Sequence, residues 1–363
     1  MSQSEPHAAV VGGSLSGLCV SLALARMGWR VTIIERSTGE PPGGAGLGLD
    51  RRLLGQVAGV NADGIPVVSG NRDSAAWAIV RQFLLGVARG TPGVEFMEST
   101  TVTGVRDASD ISQVALDTAA GTFAADLVVG ADGVYSVTRR FVAPNHPDAS
   151  YAGYMLWRGL VSEAEVPDGL GNRGSSLEVH AASGAQLVIY AVPGRDGRTD
   201  RGHRRVSYAW YDAGRTQLLR ETGCVKGETV AGSLRADQIP PALIGDLERL
   251  ARLYWPSPWG ACIGWGVAHG DVFGTPVAEY LPERLVRNRV ALVGDAAHVA
   301  TPMTGAGFQN ALLDVAALAA ELESASGDDV PAGLRRYESE RLPNARRLVS
   351  SGMSWGRSYL SSI

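Results

Sequence analysis

The sequence predicts a mixed α/β (α+β) fold: a parallel-sheet domain built from separated stretches of chain, an antiparallel sheet between them, and helices towards the C-terminal end. Three observations carry this. Short β-branched runs ending in glycine or an acid precede Ala/Leu-rich helical patterns near the start of the chain and again after residue 285. Between residues 151 and 280 the pattern changes to aromatic, alternating segments separated by Gly/Asp turns. A chain of 363 residues also exceeds what one core serves, so two interleaved or sequential domains are expected.

The totals narrow the function classes. With 45% hydrophobic and 19% charged residues, the chain has the composition of a soluble globular protein. A net charge of −4 supplies no basic stripe for nucleic acid. Cys19, Cys224 and Cys262 lack C-x-x-C spacing, which suggests free thiols in a reducing compartment and no zinc site. The apolar stretch Ala8–Trp29 has no basic start and is interrupted by Gly12, Gly13, Ser14, Ser16 and Gly17, unlike a signal peptide. No segment offers the ~18 consecutive apolar residues of a membrane span. The expectation is a cytoplasmic protein, monomer or homodimer, with neither membrane nor nucleic-acid partners. Lys226 is the single lysine beside many arginines, a bias typical of GC-rich bacteria that limits any lysine-based mechanism.

The first elements follow from periodicity. Ala8–Val11 is a short apolar run suited to a buried parallel strand. Leucines and alanines recur at helical spacing from Ser16 to Met27, and Gly28 supplies a stop. Arg30–Ile34 is a second strand, ending at Glu35. This is a Rossmann-like β-α-β unit. Its turn almost matches G-x-G-x-x-G: Gly12 and Gly17 hold the outer places, and Ser14 stands where a glycine normally lets backbone approach a pyrophosphate. Glu35 lies 18 residues beyond Gly17, near the ~20 at which an acid meets ribose hydroxyls. The helix start at Ser16–Gly17 directs free N–H groups and a positive dipole end at the same turn.

Further segments are ambiguous in isolation. "PPGGAGLGLDRRLL" (41–54) suits a surface loop, or a bare backbone lying against a flat ligand with Arg51 or Arg52 on an anion. Arg81 opens a helical pattern through Leu84, Leu85 and Val87. "ADLVVGADGVYSVTRR" (125–140) contains a strand over Asp126–Gly130, a turn at Asp132–Gly133, and a helix start carrying Ser136. "RVALVGDAAHVATPMTGAGFQNALLDVAALAAEL" (289–322) contains a strand at Val290–Val293, Asp295 at its carboxyl end, a Pro/Gly loop, and a long helix from near Gly307.

Together and in this order, these motifs resemble the class A flavoprotein monooxygenases of the para-hydroxybenzoate hydroxylase family. The resemblance implies FAD as cofactor, with NADPH or NADH as transient co-substrate, because no second dinucleotide fingerprint follows residue 140. It implies FAD contacts from Gly12, Gly13, Ser14, Leu15, Ser16 and Gly17, and from Glu35 and Arg36. Gly48, in the Gly43–Gly48 loop, would lie near the isoalloxazine ring. Arg81 would lie on the phosphate side, Val102 beside adenine, and Asp132 in the motif Gly130–Arg139 that serves both FAD and nicotinamide. Asp295 inherits a ribityl or ribose contact. Pro302, Gly305, Ala306 and Gly307 would offer backbone and a helix start to the flavin pyrimidine edge, stabilising the anionic reduced ring. "YESERLP" (337–343), before a terminal helix, also fits the family, whereas residues 53–80 and 212–255 align poorly. The implied division is 1–72 and 73–150 for FAD, 151–280 for an antiparallel substrate sheet, 281–326 returning to FAD, and 327–363 helical.

In the middle region, "YAVPGRDG…RRVSYAWYDAG" is similar to the 2,6-dihydroxypyridine 3-hydroxylase branch in particular. Strand alternation sets Met155 and Trp157 opposite Tyr154 and Arg158. Trp157, Tyr190, Tyr208, Trp210, Tyr211 and Pro302 are the candidates for contact with a planar substrate. His180, Tyr190 and Tyr211 are the candidate catalytic groups, and none is certain; His269 is a further histidine, and His298 fits a structural or flavin-side role. The implied activity is hydroxylation of an aromatic, heteroaromatic or polycyclic small molecule with O2, through a flavin C4a-hydroperoxide. A Baeyer–Villiger or epoxidising oxygenase and a halogenase are alternatives on the same fold, although Lys226 and "WPSPWGACIGW" match the halogenase pattern poorly. A non-catalytic flavin binder is a third, and a plain nicotinamide dehydrogenase leaves the later motifs unexplained.

Overall fold

Hydrophobic periodicity places most of the elements where local sequence asks for them. The computed structural model describes residues 5–37, 45–107, 112–167, 169–170, 173–174, 176–323 and 329–362. The chain opens with β1 (His7–Val11), α1 (Leu15–Arg26), β2 (Arg30–Ile34), β3 (Gly46–Gly48), α2 (Arg51–Ala58), β4 (Ser74–Ala76) and α3 (Trp77–Arg89). Next come β5 (Val94–Met97), β6 (Val102–Asp107), β7 (Val114–Thr118), β8 (Gly121–Ala125), β9 (Leu127–Gly130) and α4 (Val137–Val142). The middle holds β10 (Ser150–Ser162), β11 (Glu178–Ala182), β12 (Ala185–Val192), β13 (Arg205–Asp212) and α5 (Thr216–Glu221). It continues with β14 (Val225–Lys226), β15 (Thr229–Val230), α6 (Pro241–Tyr254), α7 (Trp259–Ala268) and β16 (Phe273–Glu279). β17 (Val286–Arg287), β18 (Val290–Leu292), α8 (Gly307–Glu323) and α9 (Val330–Ser361) complete it.

The first sheet runs β17-β18-β9-β1-β2-β5, parallel except for β17 at its edge. All five residues of β1 are buried, as expected of a strand covered on both faces. Because β1 pairs with β2 on one side and β9 on the other, their following loops diverge and leave a crevice outside the carboxyl ends. The second sheet runs β11-β12-β13-β10-β15-β14, with β16 also on β10. One face of it, with Met155, Trp157 and Trp210, packs on α6 and α7 through Leu247, Trp259 and Ile263. The other face carries Tyr154, Leu156 and Tyr211 and meets Trp355 and Tyr359 of α9.

Two local expectations change. Within the stretch 151–280 expected as an antiparallel sheet, Pro241–Tyr254 and Trp259–Ala268 form two helices on one face of that sheet, the first of them inside the poorly aligned 212–255. "YESERLP" lies inside the 32-residue α9, which runs through Pro343. Cys19, Cys224 and Cys262 are buried free thiols. Among the described residues, no helix is long and apolar enough to cross a membrane, and no cluster could hold a metal ion.

A buried ionic cluster ties α8 and α9 to the turn after β18. Asp314 is fully buried and accepts from Arg341 Nε at 2.9 Å, from Gly294 N at 3.0 Å and pairs with His298 Nε2 at 2.7 Å. Burial alone would lower the His298 imidazole pKa, but the Asp314 charge and hydrogen bond, with Asp295, raise it above the ordinary value. Arg341→Met leaves this carboxylate with one partner fewer in a dry site. It should cost about 3–5 kcal/mol in urea-denaturation stability.

Candidate functional site

The carboxyl ends of β1, β2, β9 and β18 bring the sequence motifs together. Gly12 follows β1 with φ +104°, and a Cβ there would stand 2.5 Å from the Ala131 carbonyl oxygen. A Cβ at Gly17 would lie 1.8 Å from the Gly12 oxygen. The two outer fingerprint glycines therefore serve the chain's own close packing. Ser14, between them, is the N-cap residue of α1 in extended backbone, and its side chain makes no capping hydrogen bond. The helix N-terminus thus keeps its donors for something outside the helix.

Glu35 faces this turn. Its Oε2 accepts from Gly13 N at 2.7 Å, and its Oε1 accepts from Ser37 N at 2.9 Å and Ser37 Oγ at 2.7 Å. Burial would raise its carboxyl, but these hydrogen bonds and the Arg81 charge hold it below the ordinary carboxylate range. A cavity of about 290 Å³ opens here, walled by Gly12, Gly13, Ser14, Glu35, Arg36, Arg81, Val102 and Asp132. Leu15, Ser16 and Gly17 stand behind the wall, Leu15 and Gly17 being buried at the helix start.

Asp132 has a task within the fold. Its Oδ2 accepts from Val137 N at 2.7 Å and Thr138 N at 3.1 Å, and its Oδ1 from Ser136 Oγ and Thr138 Oγ1 at 2.5 and 2.7 Å. Arg139, buried, donates to the carbonyls of Pro147 at 2.6 Å and of Asp295 and Ala296 at 3.1 Å each, and also to that of Val134. Its guanidinium lies 4.3 Å from the Tyr280 ring centroid. One side chain thereby fixes the motif after β9 against the motif after β18. The Asp295 side chain itself is exposed, yet enough protein surrounds it that desolvation raises its carboxyl against the pull of His298 and Arg139.

A second cavity, about 700 Å³, lies between the antiparallel sheet and two loops. Trp77 walls both cavities, so the two adjoin at this ring. The loop side consists of Gly46–Gly48 and of Pro302–Gly305 with Gly307 and Phe308. Gly43 and Gly44 of the glycine-rich loop lie outside the described residues. Ala306 walls a smaller adjoining space of about 340 Å³ with Gly48. Arg72 bridges the two loops: its Nη2 donates to the Gly305 carbonyl at 2.7 Å, and it crowds the space above Gly48. The sheet side presents Leu156, Arg158, Val188, Tyr190, Ser207, Ala209, Tyr211 and Thr275.

Several sequence candidates stand elsewhere. Trp157 and Trp210 face α6 and α7, with Trp157 Nε1 donating to Asp212 at 2.9 Å, and neither is a wall of the cavity. Alternation separated the two faces of the sheet, but only the packing of α6 and α7 decides which face is covered. Tyr208 borders the cavity, while its hydroxyl donates to the Asp271 carbonyl at 2.8 Å. His180 pairs with Glu178 at 3.0 Å, off the cavity, and His269 stacks on Trp265. Lys226 is exposed on β14. Of the candidate catalytic groups, Tyr190 and Tyr211 do line the cavity, and burial raises both phenols, Tyr211 further through Tyr154, Tyr190 and Tyr359. Both are therefore neutral hydrogen-bonding groups near pH 7. Arg72, Trp77, Arg158 and Thr275 were not singled out as site residues from the sequence, although alternation had already set Arg158 on this face.

The fit to a dinucleotide rests on the uncapped start of α1, the anchored Glu35, and the two cavities that adjoin at Trp77. Comparison with known proteins agrees with this geometry. The FAD binding domain family matches residues 269–351, and the FAD binding domain-like family matches residues 151–246. The chain is 28% identical to 2,6-dihydroxypyridine 3-monooxygenase of Paenarthrobacter nicotinovorans, covering 94% of this chain and 88% of the relative. It is 27% identical to 3-hydroxybenzoate 6-hydroxylase of Klebsiella oxytoca, covering 97% and 88%. The solved 2,6-dihydroxypyridine-3-hydroxylase of Arthrobacter nicotinovorans superposes with a TM-score of 0.79 at 25% identity, over 96% of this chain and 91% of that one. Klebsiella pneumoniae HpxO, solved with FAD and uric acid, shares the fold with a TM-score of 0.72 at 21% identity, over 98% and 89%.

Because Glu35 is held ionised in the fold, its share of stability is present above its ordinary value of 4.5 and is lost as pH falls through the lower folded value. Glu35→Gln should flatten that acid limb of the stability profile, measured by denaturant midpoints between about pH 3 and 6.

Proposed function

The chain belongs to the class A flavoprotein aromatic monooxygenases, FAD-dependent oxidoreductases, and on that premise we propose that it hydroxylates a small aromatic or heteroaromatic molecule with O2 and electrons from NADPH or NADH. The observation that carries this is the pair of adjoining cavities that share Trp77 as a wall: a turn-and-helix-start cleft beside a largely apolar chamber that, among the described residues, no histidine or carboxylate lines. When bound, FAD supplies the electron transfer and oxygen activation that no side chain here can perform.

The residues of the chain have narrower tasks. Ser14 and the N-terminus of α1 would hold the pyrophosphate, and Glu35 would hold the ribose beside Val102. The backbone of Gly46–Gly48 and Pro302–Gly307 would flank the ring, with the positive end of α8 favouring negative charge there. Leu156, Val188 and Ala209 exclude water from the sheet side of the chamber. Tyr190 and Tyr211, phenols that burial raises further above their ordinary value, would orient the substrate as hydrogen-bond donors without removing its proton.

A purified yellow protein whose NADH or NADPH oxidation rises with a phenol, hydroxybenzoate or hydroxypyridine, with oxygen uptake and a product heavier by one oxygen atom, is the expected outcome. A chlorinated product, or flavin reduction that no aromatic accelerates, would overturn it. Ser14→Gly should leave FAD bound through gel filtration, whereas Ser14→Leu, which fills the approach to the α1 N-terminus, should elute colourless.

A further inference from the structure

The sheet wall of the chamber is ordered in rows across the strands, because paired residues of neighbouring strands share a face. One row is polar: Tyr190 of β12 stands opposite Ser207 of β13. The next row on the same face is apolar. Val179 of β11 stands opposite Val188 of β12, and Val188 opposite Ala209 of β13, and all three wall the chamber. β11 is an edge strand of the sheet, so this row leads outwards from the chamber over two strand spacings, about 10 Å. At its outer end Val179 is 51% exposed. Its orientation is fixed. Glu178 and His180, its neighbours in β11, face the other side, where Glu178 Oε2 accepts from Trp259 Nε1 of α7 at 2.9 Å and pairs with His180 Nε2 at 3.0 Å. A slip of β11 by one residue would break those bonds, so Val179 stays on the chamber side. The start of β11 is also tied, with Leu177 N donating to Asn71 Oδ1 at 3.1 Å. A lone exposed valine on a surface needs no explanation. One that continues an apolar row out of a cavity offers a ligand area that water otherwise covers.

We propose that this row is a subsite for an apolar substituent: the substrate is an aromatic ring carrying an alkyl chain, which lies over Ala209 and Val188 and leaves the chamber across Val179. The inference rests on the hydroxylase reading and narrows its substrate from any small aromatic to alkyl-substituted ones. The row belongs to the same cavity as the ring's own site, so one molecule spans both. The ring takes the inner chamber near Tyr190 and Ser207, whose hydroxyls serve polar groups, and the chain takes the row. A compact ring fills the inner part alone and leaves Val179 to water.

The test uses the full-length protein as purified, with two probe series, the 3-n-alkylphenols and the 4-n-alkylphenols from methyl to hexyl. Dissociation constants come from calorimetry, which needs no turnover. In at least one series the affinity of the wild type should rise about two- to fourfold per methylene, the range of a partly to fully buried CH2. The heat capacity of binding should become steadily more negative along that series. Val179→Asp, and more mildly Val179→Ser, should stop the rise for the outer carbons, so that hexyl binds no tighter than the middle members. Val179→Leu, which keeps the row apolar, should preserve it. An affinity independent of chain length in both series, or a rise that survives Val179→Asp and Val179→Ser undiminished, would overturn the proposal. So would a dimer in sedimentation that Val179→Asp dissociates, because the valine would then belong to a contact between two copies of the chain. Absence of bound flavin would instead overturn the hydroxylase reading, and the dependence on chain length would still decide the subsite.

Discussion

The geometry of the site depends on one buried cation. Arg139 is 1% exposed, and a guanidinium in such a place is tolerable only when its donors are met. Carbonyls from three separate stretches meet them: the turn after β9, the loop after α4, and the turn after β18. Each of those stretches is irregular backbone that would otherwise have many conformations. Tyr280, against the guanidinium face, adds β16's end to the same knot. Both later motifs of the sequence are thereby held at the carboxyl edge of the parallel sheet, where Gly12 already abuts Ala131. The nucleotide end of the cleft is thus shaped by interactions internal to the protein before any ligand arrives.

The second cavity is built on a different principle. Its sheet wall is stiffened from behind by helices α6 and α7, and its aromatic edge is supported by α9. Trp355 stacks on Tyr359 at 5.3 Å between centroids, and both pack edge-on to Tyr211. The loop wall is tied across by Arg72, which links β3 to the turn before α8, and its Met303 packs on the same aromatic cluster as α9. A rigid sheet facing a braced loop suits a chamber in which one planar group is fixed and another is exchanged.

Much of this was legible in the sequence, for local reasons. β2 and the start of α8 fall where periodicity and stop signals put them, β1, β9 and β18 differ by a residue at one end, and α1 by a residue at each end, because those signals are contained within a few residues. The motifs at Gly12–Gly17, Gly130–Arg139 and Gly294–His298 converge because each sits at a strand end of one sheet. What stayed illegible depends on distant partners. Arg158 meets Thr275 across 117 residues and Arg72 meets Gly305 across 233, and each in isolation is an ordinary arginine. Trp157 and Trp210 were drawn towards the substrate by their chemistry, whereas two helices that the sequence motifs did not announce cover their face. Asp132 and His298 belong to motifs whose residues partly serve the fold: Asp132 caps α4, and His298 shares a hydrogen bond with Asp314.

The distribution of sulfur has a consequence for durability. Enzymes that activate oxygen on a reduced cofactor release hydrogen peroxide when a cycle ends without oxygen transfer, and thiolates are its first casualties. Here burial pushes the Cys19 and Cys262 thiols up to about 12, so neither offers a ready thiolate, and Cys224 is also buried. Met303 is different: it sits half-buried on the loop wall of the chamber, beside Pro302 and Thr304. Peroxide escaping from unproductive cycles would meet this thioether early, and its sulfoxide would put a polar group into the apolar wall. The state of that one sulfur would then be a chemical record of how often the enzyme has turned over without its proper substrate.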